Sequence, residues 1–65
     1  MFTNIQQIYK FLKQNKDLII QDSTNNKTAK QIINIYIMHQ SAPSDPGAQG
    51  ILMSLCDAYK KEKSI

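Results

Sequence analysis

Apolar positions in the first third of the chain recur at helical spacing. Ile5, Ile8, Tyr9, Leu12 and Ile19 follow one another at intervals of three, four and seven, which places them on one face of an α-helix. Phe11 and Leu18 widen that face, while Gln6, Lys10, Lys13 and Asp17 gather on the opposite, wetted side. Thr3 or Asn4 supplies a side-chain oxygen to cap the first turn. The pattern predicts a helix over residues 4–21.

The pattern breaks at "DSTNNKT", residues 22–28. Asp, Ser and Asn side chains compete for backbone hydrogen bonds there, and one of Thr24, Asn25 and Asn26 is placed to cap the next helix. The segment is too short to be a linker between domains. Beyond it, Ala29, Ile32, Ile33, Tyr36, Ile37 and Gln40 form a second stripe and predict a helix over 27–40. "INIYIM" is also rich in β-favouring residues, but the stripe covers about three turns and no second strand is available to pair with it. Ile35 and Met38 fall off the stripe. A helix apolar nearly all round must bury both sides, at the centre of a bundle or against another chain.

"HQSAPSDPGAQG", residues 39–50, reads as a stop and a new start. Pro43 disfavours helix at Ala42. Asp45 is a natural N-cap for a helix whose first residue is Pro46. That third helix is expected over 46–61, with Ala48, Ile51, Leu52, Leu55 and Tyr59 as its stripe and Lys60, Lys61 and Lys63 at its C-terminal end, where positive charge is favoured. Gly47 and Gly50 each weaken it by about 1 kcal/mol relative to alanine. Their small size permits close backbone approach, by the first or second helix rather than by a partner. The expected architecture is all-α: one domain spanning residues 1–65, a small three-helix bundle with no internal repeat.

Composition narrows the ways such a bundle is held together. A domain of 65 residues buries only about 60% of its unfolded surface. Cys56 is the sole cysteine and His39 the sole histidine, so neither an internal disulfide nor a metal staple is expected, and no cofactor is implied. Tight helix packing or self-association remains, and ten isoleucines supply the material for it. The longest apolar runs, Leu18–Ile20 and Ile35–Met38, fall far short of the roughly 20 residues of a membrane span. Lys10, Lys13, Lys16 and Asp17 interrupt the first segment in a way unlike a signal peptide. A soluble cytoplasmic protein, not bound to membranes, is expected, and the lone thiol suits a reducing compartment. Abundant Ile, Lys, Asn and Gln suggest an AT-rich coding sequence such as those of low-GC bacteria and their phages or plasmids.

Candidate chemistry is sparse. Cys56 lies on the flank of the third stripe, where a small inert cysteine is ordinary. His39 falls in a last helical turn, where it can donate to free carbonyls. The five acids show no paired spacing. Asp45 would occupy the place of any anion bound at the "SDPGAQG" turn, and no lysine stands near it in sequence. No catalytic residue, metal ligand or small-molecule substrate is assigned, and the protein is expected not to be an enzyme.

Two binding classes remain. Net charge is +3, carried entirely by lysine without any arginine. Lys10 and Lys13 on the first helix, with Lys27 and Lys30 at the start of the second, are the candidate nucleic-acid contacts. The absence of arginine removes the usual bidentate reader of guanine and phosphate. The break after the second helix is also longer than a helix-turn-helix turn. The favoured class is protein binding. Ile35, Met38, Met53 and Cys56 are surplus to the stripes and form a candidate interaction patch, with methionine adapting to irregular partners. The partner is another protein or a second copy of the chain, and the expected function is that of a small regulator or inhibitor.

Overall fold

Two asparagines and an aspartate start helices in the computed structural model, which describes residues 2–65. The helices are α1 Ile5–Gln14, α2 Lys16–Asp22, α3 Lys27–Ser41 and α4 Pro46–Lys63, with no strand among the described residues. Asn4 accepts from the Gln7 N–H at 3.1 Å, Asn26 from the Ala29 N–H at 3.1 Å, and Asp45 from the Gly47 N–H at 2.9 Å. Each satisfies a backbone donor that the first turn leaves without a partner. Among the described residues no helix is long and apolar enough to cross a membrane.

The expected three-helix bundle is thus corrected to four helices, because the first stripe is broken at Asn15. That residue adopts φ −116° and ψ 17°. Its side-chain Nδ2 donates to the Phe11 carbonyl at 2.9 Å, beside its own backbone N–H at 3.0 Å. A side chain that bonds back to the preceding turn competes with the helical ladder and bends it. The ladder resumes at once, since the Ile19 N–H reaches the Asn15 carbonyl at 2.9 Å.

The bend lets the two halves pack on different partners. α1 lies against α4, α2 lies against α3, and α3 and α4 form the main antiparallel pair. Ile8, Phe11, Ile19, Ala29, Ile32, Leu52, Cys56 and Tyr59 are the resulting core. Phe11 takes the inward place beside Ile8, and Tyr9 is left 38% exposed at the edge. Phe2 closes the open end of α1 by packing edge-on to Phe11, with ring centroids 5.2 Å apart. The Phe2 N–H donates to Asp57 at 3.2 Å and the Lys60 ammonium lies 5.2 Å from its ring centroid. The radius of gyration, 10.8 Å, matches the roughly 11 Å of a fully folded chain of this length.

A polar clasp joins α2 to the end of α4. The Tyr59 hydroxyl donates to Asp22 Oδ2 at 2.8 Å, and Lys63 Nζ meets the same oxygen at 2.7 Å. Next to it, Asn26 Nδ2 donates to Glu62 at 2.8 Å. Lys63 and then the Tyr59 hydroxyl hold the Asp22 carboxyl below the usual carboxylate range. Burial, reinforced by Asp22, pushes the Tyr59 hydroxyl well above the ordinary phenol range.

The close approach expected at Gly47 and Gly50 does not occur. A Cβ on Gly50 would meet nothing within 4 Å, and one on Gly47 would meet only the Asp45 side chain at 3.2 Å. Neither glycine has a positive φ. Gly50→Ala is accordingly expected to stabilise the domain by about 1 kcal/mol, raising Tm by about 4–8 °C. Thermal unfolding followed by circular dichroism checks this, and an unchanged or lower Tm contradicts it.

Candidate functional site

α1 and α3 meet where the Tyr9 hydroxyl bonds to His39 Nε2. Below that contact α1 leans towards α4 while α2 turns against α3, and a trough opens between them. The bend at Asn15 is its local cause. The trough measures about 580 Å³. Its floor and walls are Leu12 from α1, Ile19 and Ile20 from α2, and Ile32, Ile33 and Tyr36 from α3, with Lys13 and Lys16 on one lip. Past Tyr9, Tyr36 and Gln40 it continues into a shallower hollow bounded by His39 and Pro43. Ile20 is 51% exposed. An isoleucine left half in water inside an apolar concavity marks a surface that gains by being covered.

The residues expected to form a protein-binding patch do not come together. Cys56 is 0% exposed and belongs to the core, so its place on a contact surface is withdrawn: α4 turns that flank inward onto Ile8 and Phe11. Ile35 and Met53 are half-buried against the same core. Met38 is 57% exposed, but helical phase puts it on the flank of α3 opposite Ile33, Tyr36 and Gln40. Met38 and the trough thus lie on different sides of α3. Ile32, Ile33 and Tyr36, read as core stripe, also form the trough's wall. The exposed Ile37, one turn beyond Ile33, extends that wall outward.

The lysines are all on the surface, but Lys10 and Lys13 border different hollows. Lys13 lines the trough, whereas Lys10 stands beside Phe2, Phe11 and Lys60 on the α1–α4 side. Lys27 and Lys30 occupy the first turn of α3.

His39 corrects a second expectation. It does not donate to free carbonyls at the helix end but is buried, 1% exposed, with its Nδ1 lacking any partner. Its ring lies 5.7 Å from that of Tyr9. Whichever tautomer it adopts, one nitrogen stays unpaired. A buried polar atom without a partner costs about 1–3 kcal/mol, whereas the lost bond to Tyr9 is worth about 1 kcal/mol, and the half-exposed Tyr9 hydroxyl can turn to water. His39→Leu is thus expected to leave stability unchanged or raise it by up to about 2 kcal/mol. A urea titration showing a comparable loss would contradict this.

The one thiol lies in the core and does not line the trough. Burial, with a smaller contribution from Asp57, pushes the Cys56 thiol up to about 12, so the thiolate is scarce at neutral pH. Among the described residues no three His, Cys, Asp or Glu side chains converge to hold a metal ion. The arrangement suits binding: an apolar floor, a basic lip and a hydrogen-bonding end at Tyr36 and Gln40. Compared with known protein families, curated proteins and solved structures, the chain matches none.

Proposed function

We propose that this chain is a small non-enzymatic regulator or inhibitor that works by docking a helical segment of another protein in the trough between α1–α2 and α3. The observation that carries the reading is the half-exposed Ile20 facing Ile33 and Tyr36 across an open apolar channel. Helix-in-groove recognition needs just such a channel, about two turns long and flanked by polar groups. Binding of nucleic acid through Lys10, Lys13, Lys27 and Lys30 has weaker support, because Lys10 and Lys13 flank separate hollows.

The test compares tagged wild-type protein with Ile20→Gln and Met38→Gln in nuclease-treated lysate of the source organism, followed by reconstitution with the purified partner. The reading expects a partner retained by wild type and by Met38→Gln, and lost with Ile20→Gln. Equal retention by all three proteins, or loss only with Met38→Gln, contradicts it. A shift to a dimeric mass in light scattering that Ile20→Gln abolishes would identify the occupant as a second copy.

A further inference from the structure

We infer that the occupant of the trough is an acidic amphipathic helix, gripped through its apolar face by the floor and through carboxylates on one flank by Lys13 and Lys16. This rests on the docking reading above and adds the chemistry of the partner. Four of the five acids are committed to the fold. Asp22 is held by Tyr59 and Lys63, Asp45 caps α4, Asp57 receives the Phe2 N–H, and Glu62 receives Asn26. The fifth, Asp17, is exposed in the first turn of α2 and does not line the trough. No acid therefore faces the channel.

Lys13 and Lys16, by contrast, form no ion pair with any described residue, and both stand on its α1–α2 lip. The opposite lip, on α3, carries Ile33 and Tyr36 without a charge. The field across the trough is thus one-sided and positive, and a partner that places acids on the α1–α2 flank gains where a basic or neutral one does not.

Dimensions point the same way. Along α3 the lining runs from Ile32 to Gln40, about 12 Å at 1.5 Å per residue. That accommodates about two turns of a partner helix, with anchors at i, i+3 or i+4, and i+7. Lys13 and Lys16, three residues apart across the bend, match carboxylates spaced by one turn of such a helix.

The probes are two fluorescein-labelled helical peptides of about 18 residues, with the same leucine anchors but either Glu or Gln on the flanks. Fluorescence anisotropy is expected to show the Glu peptide binding about tenfold more tightly, the combined effect of two partly sheltered ion pairs. The preference should shrink when salt is raised from about 50 to about 500 mM. It should vanish in Lys13→Gln/Lys16→Gln, to which the Glu and Gln peptides bind equally. Equal binding of both peptides to wild type, or a Glu preference that survives the double substitution, overturns the acidic assignment and leaves the docking reading intact. Binding of neither peptide, or binding indifferent to Ile20→Gln, removes the docking reading and this inference with it. A DNA duplex that displaces the Glu peptide through the same two lysines also overturns it, making the lip a phosphate contact.

Discussion

Tyr59→Ala is expected to abolish the cooperative unfolding transition at 25 °C, while Tyr59→Phe still folds. Tyr59 is completely buried among Ile8, Ile19 and Leu52. Truncating a buried aromatic to alanine costs about 3–5 kcal/mol. A domain of this length has only about 3–10 kcal/mol of stability to lose. The core of so small a domain rarely supplies more than about 3–5 kcal/mol, so the alanine variant sits at or near the threshold. The phenylalanine variant keeps the ring and loses only the bond to Asp22, which retains Lys63 and access to water. Its cost is about 1–2 kcal/mol. Urea titration followed by circular dichroism separates the two, and a Tyr59→Ala protein with a normal sigmoidal transition would contradict the central place given to this ring.

The same clasp sets the pH limits of the fold. Asp22 has a lowered pKa in the folded state, so its contribution is present above the ordinary carboxylate range and is lost as pH falls through the folded value. Tyr59 and Lys63 have raised values, so theirs is present below about pH 10 and fades as pH rises further. Tm is expected to be flat between these limits and to fall on both sides.

The second large effect concerns binding. Ile20→Gln is expected to weaken the partner about thirtyfold or more while lowering stability by no more than about 1.5 kcal/mol, the half of its burial already realised in the fold. Full burial of an isoleucine is worth about 1.5–3 kcal/mol, and Ile20, 51% exposed in the free protein, has about half of that still to gain. A glutamine amide forced into the apolar floor adds about 1–3 kcal/mol of desolvation. The sum, about 2–4.5 kcal/mol, is about thirtyfold or more in Kd. Because the amide is neutral, the result reports on the apolar floor independently of the lysines. A change below threefold in anisotropy titration would place the contact surface elsewhere.

Much of the fold was legible along the chain, for local reasons. Asn26 and Asp45-Pro46 carry their capping chemistry in sequence, and the boundaries of α3 and α4 follow from it within two residues. The bend at Asn15 was not legible. The stripe from Ile5 to Ile19 keeps nearly the same phase on either side of it, so periodicity reads one helix. What breaks it is the Asn15 side chain bonding back to the Phe11 carbonyl, and the two halves then pack on different helices. The trough inherited that blindness, since Ile33 and Tyr36 look like core until the helix facing them turns away. Met38 and Ile35 misled for a related reason, because helical phase locates a flank without saying which flank a neighbour covers. His39 lay beyond reach because its partner, Tyr9, stands thirty residues away in sequence.

The bend also bears on how such a protein diversifies. Asn15 lines no part of the trough, yet its backbone angles set how far α1 and α2 part from each other. Substitutions at that one position alter the width of the channel while every contact residue stays the same. Under the proposed docking, partner choice is thereby exposed to selection at a site that a comparison of binding residues alone would overlook.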